Sequence, residues 1–257
     1  VILASVLFWG TVFFAWKWHC FQQKKRVEDP RWTLQRIAAR SKTADRLPFP
    51  VLAEMAHVTA DEPKSLFSVH PKELQRNLCK HPSIAYSRVW RLLPGTIGIE
   101  YALRQPVAIL GGVKNVGIDA QGKLFFLSPF FASKRLPKIF LKNIYSQNLA
   151  ALEREIRKEE IQEALMLLSS IPRFLGSYGF TVSAVDCSKK HHENFFAREI
   201  IVTLSSADTK HDLVFLRLPS NIQCAMKRLP KVLQKSVRPQ IIDMRYENFV
   251  ILSEKAL

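Results

Sequence analysis

Apolar residues recur with two different spacings along this chain, and the changes between them divide it into elements. In the stretch from Leu66 to Leu110 the helical spacing comes first. Leu74 and Leu78 lie four residues apart and share a face, with Pro71 in the first turn and Pro82 ending the run. Period two follows. Ala85, Ser87, Val89 and Arg91 fall on one side, with Tyr86, Arg88, Trp90 and Leu92 on the other. Ile97, Ile99, Tyr101 and Leu103 then oppose Gly98, Glu100, Ala102 and Arg104, and Pro94-Gly95 between the two runs is a turn dipeptide. The pattern predicts helix, strand, turn, strand.

Upstream, a strand is expected within Trp32 to Ile37, although no glycine lies between Gly10 and Gly95 to end it. A short helix is expected over Val51 to Val58, with Leu52, Met55 and Ala56 on one face. The order is then β-α-α-β-β. Downstream, Val107–Leu110, Val113–Ile118 and Leu124–Leu127 are short apolar runs divided by glycines, and basic Lys134 to Lys142 is expected to cover a sheet edge. Leu149 to Ser170 carries the longest helical pattern, with Leu149, Leu152, Ile156, Ile161, Leu165 and Leu168 apolar. Strands over Phe180–Val185, Arg198–Leu204 and Asp212–Leu218, a helix over Ile222–Leu233, and a final pair over Gln240–Tyr246 and Phe249–Leu252 complete an antiparallel domain with two covering helices.

The N-terminal stretch has neither period. Val1 to Trp16 contains no charge, and Trp9, Trp16 and Trp18 resemble an interfacial aromatic belt. A spanning helix needs about 20 apolar residues. With Lys17 snorkelling, the run is read as a membrane anchor over residues 1–21, ahead of a basic linker over 22–31. A secretory signal and a buried core helix are the alternatives.

In this arrangement the chain resembles the FtsQ/DivIB family of bacterial cell-division proteins, whose extracytoplasmic part is a POTRA domain followed by a β-domain. The resemblance rests on Leu78 to Ile84, Arg91 to Ile97 and Arg104 to Ala108, then on Ile118-Asp119-Ala120-Gln121-Gly122-Lys123-Leu124-Phe125 and Ile242-Asp243-Met244-Arg245-Tyr246, in that order. It implies an α+β fold: an N-terminal transmembrane helix, a POTRA domain at 32–106, and an FtsQ-type β-domain at 107–257. It also implies a single-pass protein of the bacterial inner membrane at the division site, its C-terminal bulk periplasmic. Lys24-Lys25-Arg26 directly after the span argues for the opposite orientation by the positive-inside rule. The implied function is a non-enzymatic divisome scaffold linking FtsB- and FtsL-like partners to septal peptidoglycan synthesis. A POTRA-type chaperone or translocation component is the alternative, although the C-terminal strands are too few and too short for an outer-membrane barrel.

Composition bears on partners. Of 257 residues, 38 are Lys or Arg and 22 are Asp or Glu, for a net charge of +16. That balance favours a polyanionic partner of some kind. A membrane-tethered nucleic-acid binder would need exposed aromatics interleaved with Arg and Lys on one sheet face, and the aromatics here mostly alternate with apolar residues or sit in turns, so no nucleic acid is expected. Cys20, Cys79, Cys187 and Cys224 form no C-x-x-C pair, and nucleotide-binding, hydrolase and zinc-protease motifs are absent. His191-His192-Glu193 reads as a solvated loop. No enzyme activity, cofactor, metal or small-molecule substrate is expected.

Three surfaces are candidates for binding. At the C-terminal strands, Arg245, Tyr246, Phe249 and Val250 sit where the resemblance implies FtsB–FtsL docking, and a last strand left as an edge suits β-augmentation. Each of these residues equally suits a place in the core. Phe67, Val69 and Arg91 match POTRA positions used in recruitment. Lys227, Lys231 and Lys235, spaced by four, form a basic stripe suited to anionic lipid or an acidic helix, or simply to solvent.

Overall fold

In the computed structural model the described residues are 2–55, 64–129, 131, 135–142, 144, 146, 148–175, 180–206, 213–219, 222–235 and 241–253. The chain forms two compact units, Val1–Arg104 and Gln105–Leu257. It is α+β, with six α-helices and two sheets among the described residues.

The first unit contains α1 (Ile2–Glu28), a 3-10 turn at Pro30–Trp32, β1 (Arg36–Ser41), α2 (Phe49–Met55), α3 (Pro71–Lys80), β2 (Ile84–Leu92) and β3 (Thr96–Leu103). The expected extension of α2 to Val58 lies outside the described residues. Pro71 opens α3, as its fixed φ and missing N–H allow. Leu74 and Leu78 are buried on its inner face.

β2 and β3 form the antiparallel hairpin, and β1 joins β3 in parallel, giving the order β1-β3-β2. The first strand therefore starts four residues later than expected. Gly95 explains its course: a Cβ there would stand 2.5 Å from the Thr33 carbonyl oxygen, so only glycine lets the incoming chain pass this closely. The Gly95 carbonyl accepts the N–H groups of Gln35 and Arg36 and steers the segment into β1. Ile97, Ile99, Tyr101 and Leu103 fill the inner face of the sheet, where the Tyr101 hydroxyl accepts the Leu47 N–H at 3.0 Å.

The expected membrane anchor is not borne out. α1 is a 27-residue helix, yet among the described residues no helix is long and apolar enough to cross a membrane. The uncharged run stops at Trp16, and Lys17, His19, Gln22, Gln23, Lys24, Lys25 and Arg26 make up much of the remainder. The finding overturns the transmembrane helix and, with it, the single-pass inner-membrane localisation.

The second unit is built on one sheet. Its elements are β4 (Pro106–Leu110), β5 (Val116–Asp119), β6 (Leu124–Phe126), β7 (Lys138–Phe140), α4 (Leu149–Glu155), α5 (Lys158–Leu175), β8 (Phe180–Asp186), β9 (Ile200–Ser206), β10 (Leu213–Leu218), α6 (Ile222–Lys235), β11 (Ile241–Asp243) and β12 (Ile251–Ser253). The strand order is β12-β11-β10-β9-β8-β7-β4-β5-β6.

This sheet is mixed, whereas an antiparallel one was expected. β7 runs parallel to both β4 and β8, and β11 runs parallel to β10. The cause is the placement of the helices: α4 and α5 lie between β7 and β8 in the chain, and α6 between β10 and β11. A crossover of that length returns the chain to start the next strand in the same direction. The basic stretch expected at an edge also lies elsewhere over its described residues, 135–142. Its strand β7 is interior, between β4 and β8, and Ile139 is fully buried. The single long helix expected from Leu149 is two, because Ile156 leaves helical backbone and buries its side chain instead.

Candidate functional site

The nine-stranded sheet ends at β12, which pairs with β11 over only three residues. On this terminal strand Ile251 and Leu252 are 46% and 47% exposed. Successive strand residues point to opposite faces, so exposure of both marks an edge that is uncovered on its two sides. Apolar edge strands are normally blunted by charge or cover, and this one carries neither on those two residues. Sequence reasoning passed over Ile251 and Leu252. Their signal was present: two large aliphatic residues follow Phe249 after a single valine.

Tyr246 and Phe249 lie in the loop between β11 and β12, not on strands. Their rings stack at 4.5 Å with an interplanar angle of 15°, and both are exposed, Phe249 by 55%. With Ile251 and Leu252 they make a run of apolar side chains at the sheet end. Val250 turns the other way and packs against the core of the unit.

The loop is braced from beneath. Arg228 of α6 donates from Nη1 to the carbonyls of Tyr246 and Glu247 at 2.8 and 2.6 Å, and from Nη2 to Met244 at 3.3 Å. The helical stripe hides this role, because Arg228 is next to Lys227 in sequence yet points at the loop. Arg245 reaches inward: its guanidinium holds both Asp243 carboxylate oxygens, at 2.9 and 2.7 Å, and donates to the Phe196 carbonyl at 3.2 Å. Asp243 in turn holds Arg245 above the usual guanidinium pKa, chiefly through that hydrogen bond. Arg245 is thus a bracing residue.

Glu199 completes the network. Its side chain is 3% exposed and meets Lys189 at 3.2 Å, Arg217 at 2.5 Å and Arg245 at 3.7 Å. Two buried carboxylates therefore share three cations. Such a group adds little net stability over an apolar core, but losing one carboxylate leaves two partly buried guanidiniums to share the other.

The other two predicted surfaces behave differently. Phe67, Val69 and Arg91 are brought together in the first unit: Arg91 donates to the Val69 carbonyl at 2.7 Å and to the Phe67 carbonyl at 3.4 Å. Its guanidinium lies 5.5 Å from the Phe67 ring, which also stands edge-on to Trp32. The trio ties the segment before α3 to β2, and all three are half-buried. Lys227 and Lys231 are exposed on α6, and the Lys235 side chain lies outside the described residues.

Reactive chemistry is sparse. A groove of about 640 Å³ beside α5 is lined by Val107, Leu165, Met166, Phe180 and Val182 among others, and among the described residues no ionisable side chain lines it. Burial pushes the Cys187 thiol up to about 12, so it is not a thiolate nucleophile at neutral pH. Among the described residues no three His, Cys, Asp or Glu side chains are grouped to hold a metal. No protein-family model matches the chain, and no curated protein matches it.

Proposed function

We propose that this protein is a scaffold working through protein contacts, and that its second unit captures an extended partner segment along β12. One observation carries the reading: a terminal strand that exposes Ile251 and Leu252, continuous with the stacked Tyr246–Phe249 pair. Backbone groups of the edge supply affinity in such strand addition, and the flanking side chains supply selectivity. The bracing by Arg228 and Arg245 supports it further, because a loop held in advance loses less freedom on binding.

The motif order shared with FtsQ/DivIB proteins makes FtsB- and FtsL-like proteins the partners proposed, in support of septal wall synthesis. The test is co-purification of the 257-residue chain with those proteins from its host. Wild type is compared with Tyr246→Glu plus Phe249→Glu and with Leu252→Lys, after circular dichroism shows that each variant folds. Capture by wild type and loss in both folded variants supports the reading. Undiminished capture by the variants removes the edge as the binding site, and no capture by wild type removes the division partners.

A further inference from the structure

The solvent face of the first sheet carries a second, chemically distinct surface. Residues paired across strands project to the same side, so the registers Ala38↔Gly98↔Trp90 and Arg40↔Glu100↔Arg88 define it. β2 contributes Tyr86, Arg88, Trp90 and Leu92, all exposed. β1 contributes exposed Arg36 and Arg40, and Lys42 follows directly.

The Trp90 ring is presented flat. A Cβ on Gly98 would fall 2.4 Å from the Trp90 ring, so the indole lies directly over the glycine backbone and turns its other side outward, 36% exposed. Tyr86 is 40% exposed and has the Lys42 ammonium 4.6 Å from its ring. Arg88 stands between them in sequence, with its guanidinium 5.9 Å from the indole. Four residues of strand separate the two rings by roughly 13 Å.

Charge selects the occupant. Among the described residues Arg36, Arg40, Lys42 and Arg88 face one carboxylate, Glu100, which Lys42 already pairs at 3.1 Å. We propose that this face binds a single strand of nucleic acid, with unpaired bases stacking on Trp90 and Tyr86 and phosphates meeting the four cations. Every base has a π-face, so such a platform is tolerant of sequence. A duplex keeps its bases stacked on one another and gains only the charge term. An apolar protein surface would leave the cations unpaired, whereas a nucleic acid strand uses rings and cations together.

The test is fluorescence anisotropy of a labelled single-stranded oligonucleotide with the 257-residue chain, beside a duplex of the same length, heparin and an acidic peptide. The single strand should bind most tightly, with a log–log salt slope of roughly −2 to −3 for three or four phosphates neutralised. Trp90→Ala with Tyr86→Ala should weaken it by roughly ten- to hundredfold. Arg40→Glu with Arg88→Glu, both on exposed sites, should do the same without disturbing ring packing over Gly98. Lys227→Glu with Lys231→Glu makes the same change in net charge in the other unit and should leave binding within about twofold. The proposal is overturned by equal losses in the two charge-reversed pairs, which would mean net charge alone. Duplex, heparin or peptide binding as tightly as the single strand overturns it too, as does no binding at about 50 mM salt.

Discussion

The two sheets expose apolar side chains in opposite ways. In the first unit Tyr86, Trp90 and Leu92 stand on the broad open face of a three-stranded sheet, with cations between them. In the second, Tyr246, Phe249, Ile251 and Leu252 gather at the end of a nine-stranded sheet, and the nearby charges point inward to each other. A flat face offers ring surface and charge. A sheet end offers backbone hydrogen bonds. Exposed hydrophobic area alone does not distinguish a stacking platform from a strand-capture edge; the direction taken by the neighbouring charges does.

A large effect should come from the inward charges. Glu199→Ala leaves the partly buried Arg217 and Arg245 with Asp243 as their shared carboxylate and should cost the second unit about 3 kcal/mol. Hydrogen exchange read strand by strand should show protection lost in β9 to β11 and kept in β2 and β3. Equal loss in both sheets would break the contrast between the units.

A core truncation gives the reciprocal test. Leu78→Ala, at a fully buried site of α3, should cost roughly 2–4 kcal/mol, with the exchange pattern reversed. Arg228→Ala removes three bonds to main-chain carbonyls and should cost about 1–2 kcal/mol. It should also weaken partner capture at the edge while leaving oligonucleotide binding unchanged.

The smallest effect is one of pH. Burial holds His81 below its ordinary value of 6.5, and its Nδ1 accepts the Ser83 N–H at 3.3 Å. The folded state therefore binds fewer protons than the unfolded one. That contribution to the first unit is complete above pH 6.5 and declines as pH falls below it. Urea midpoints measured between about pH 7.5 and 5.5 should fall more for wild type than for His81→Asn.

Much of the fold was legible wherever the elements are local. Leu74 and Leu78 one turn apart, and the alternation through Val89 and Ile97 around Pro94-Gly95, are patterns that neighbouring residues settle among themselves. The N-terminal run shows the limit of reading by composition. Its helix is present, but among the described residues no helix is long and apolar enough for the span it suggested. Lys138 to Phe140 shows another limit, since basic flanks suggested an edge and the pairing placed β7 in the interior.

For the sites, the sequence marked Tyr246 and Phe249 but could not show that their rings stack, that Val250 faces the core, or that Arg228 holds the loop. It showed Tyr86, Arg88 and Trp90 alternating along one strand but held Arg36 and Arg40 more than forty residues away, so the further cations of that face were not visible. The sequence by itself determined the α+β class, the helix and hairpin of the first unit and the approximate strands of the second, because these follow from short-range periodicity. Only the tertiary structure decided which strands adjoin and in which direction, which face stays open and where the charges point. Those depend on pairings between residues far apart in the chain, whose loop-closure cost and packing gain no local pattern records.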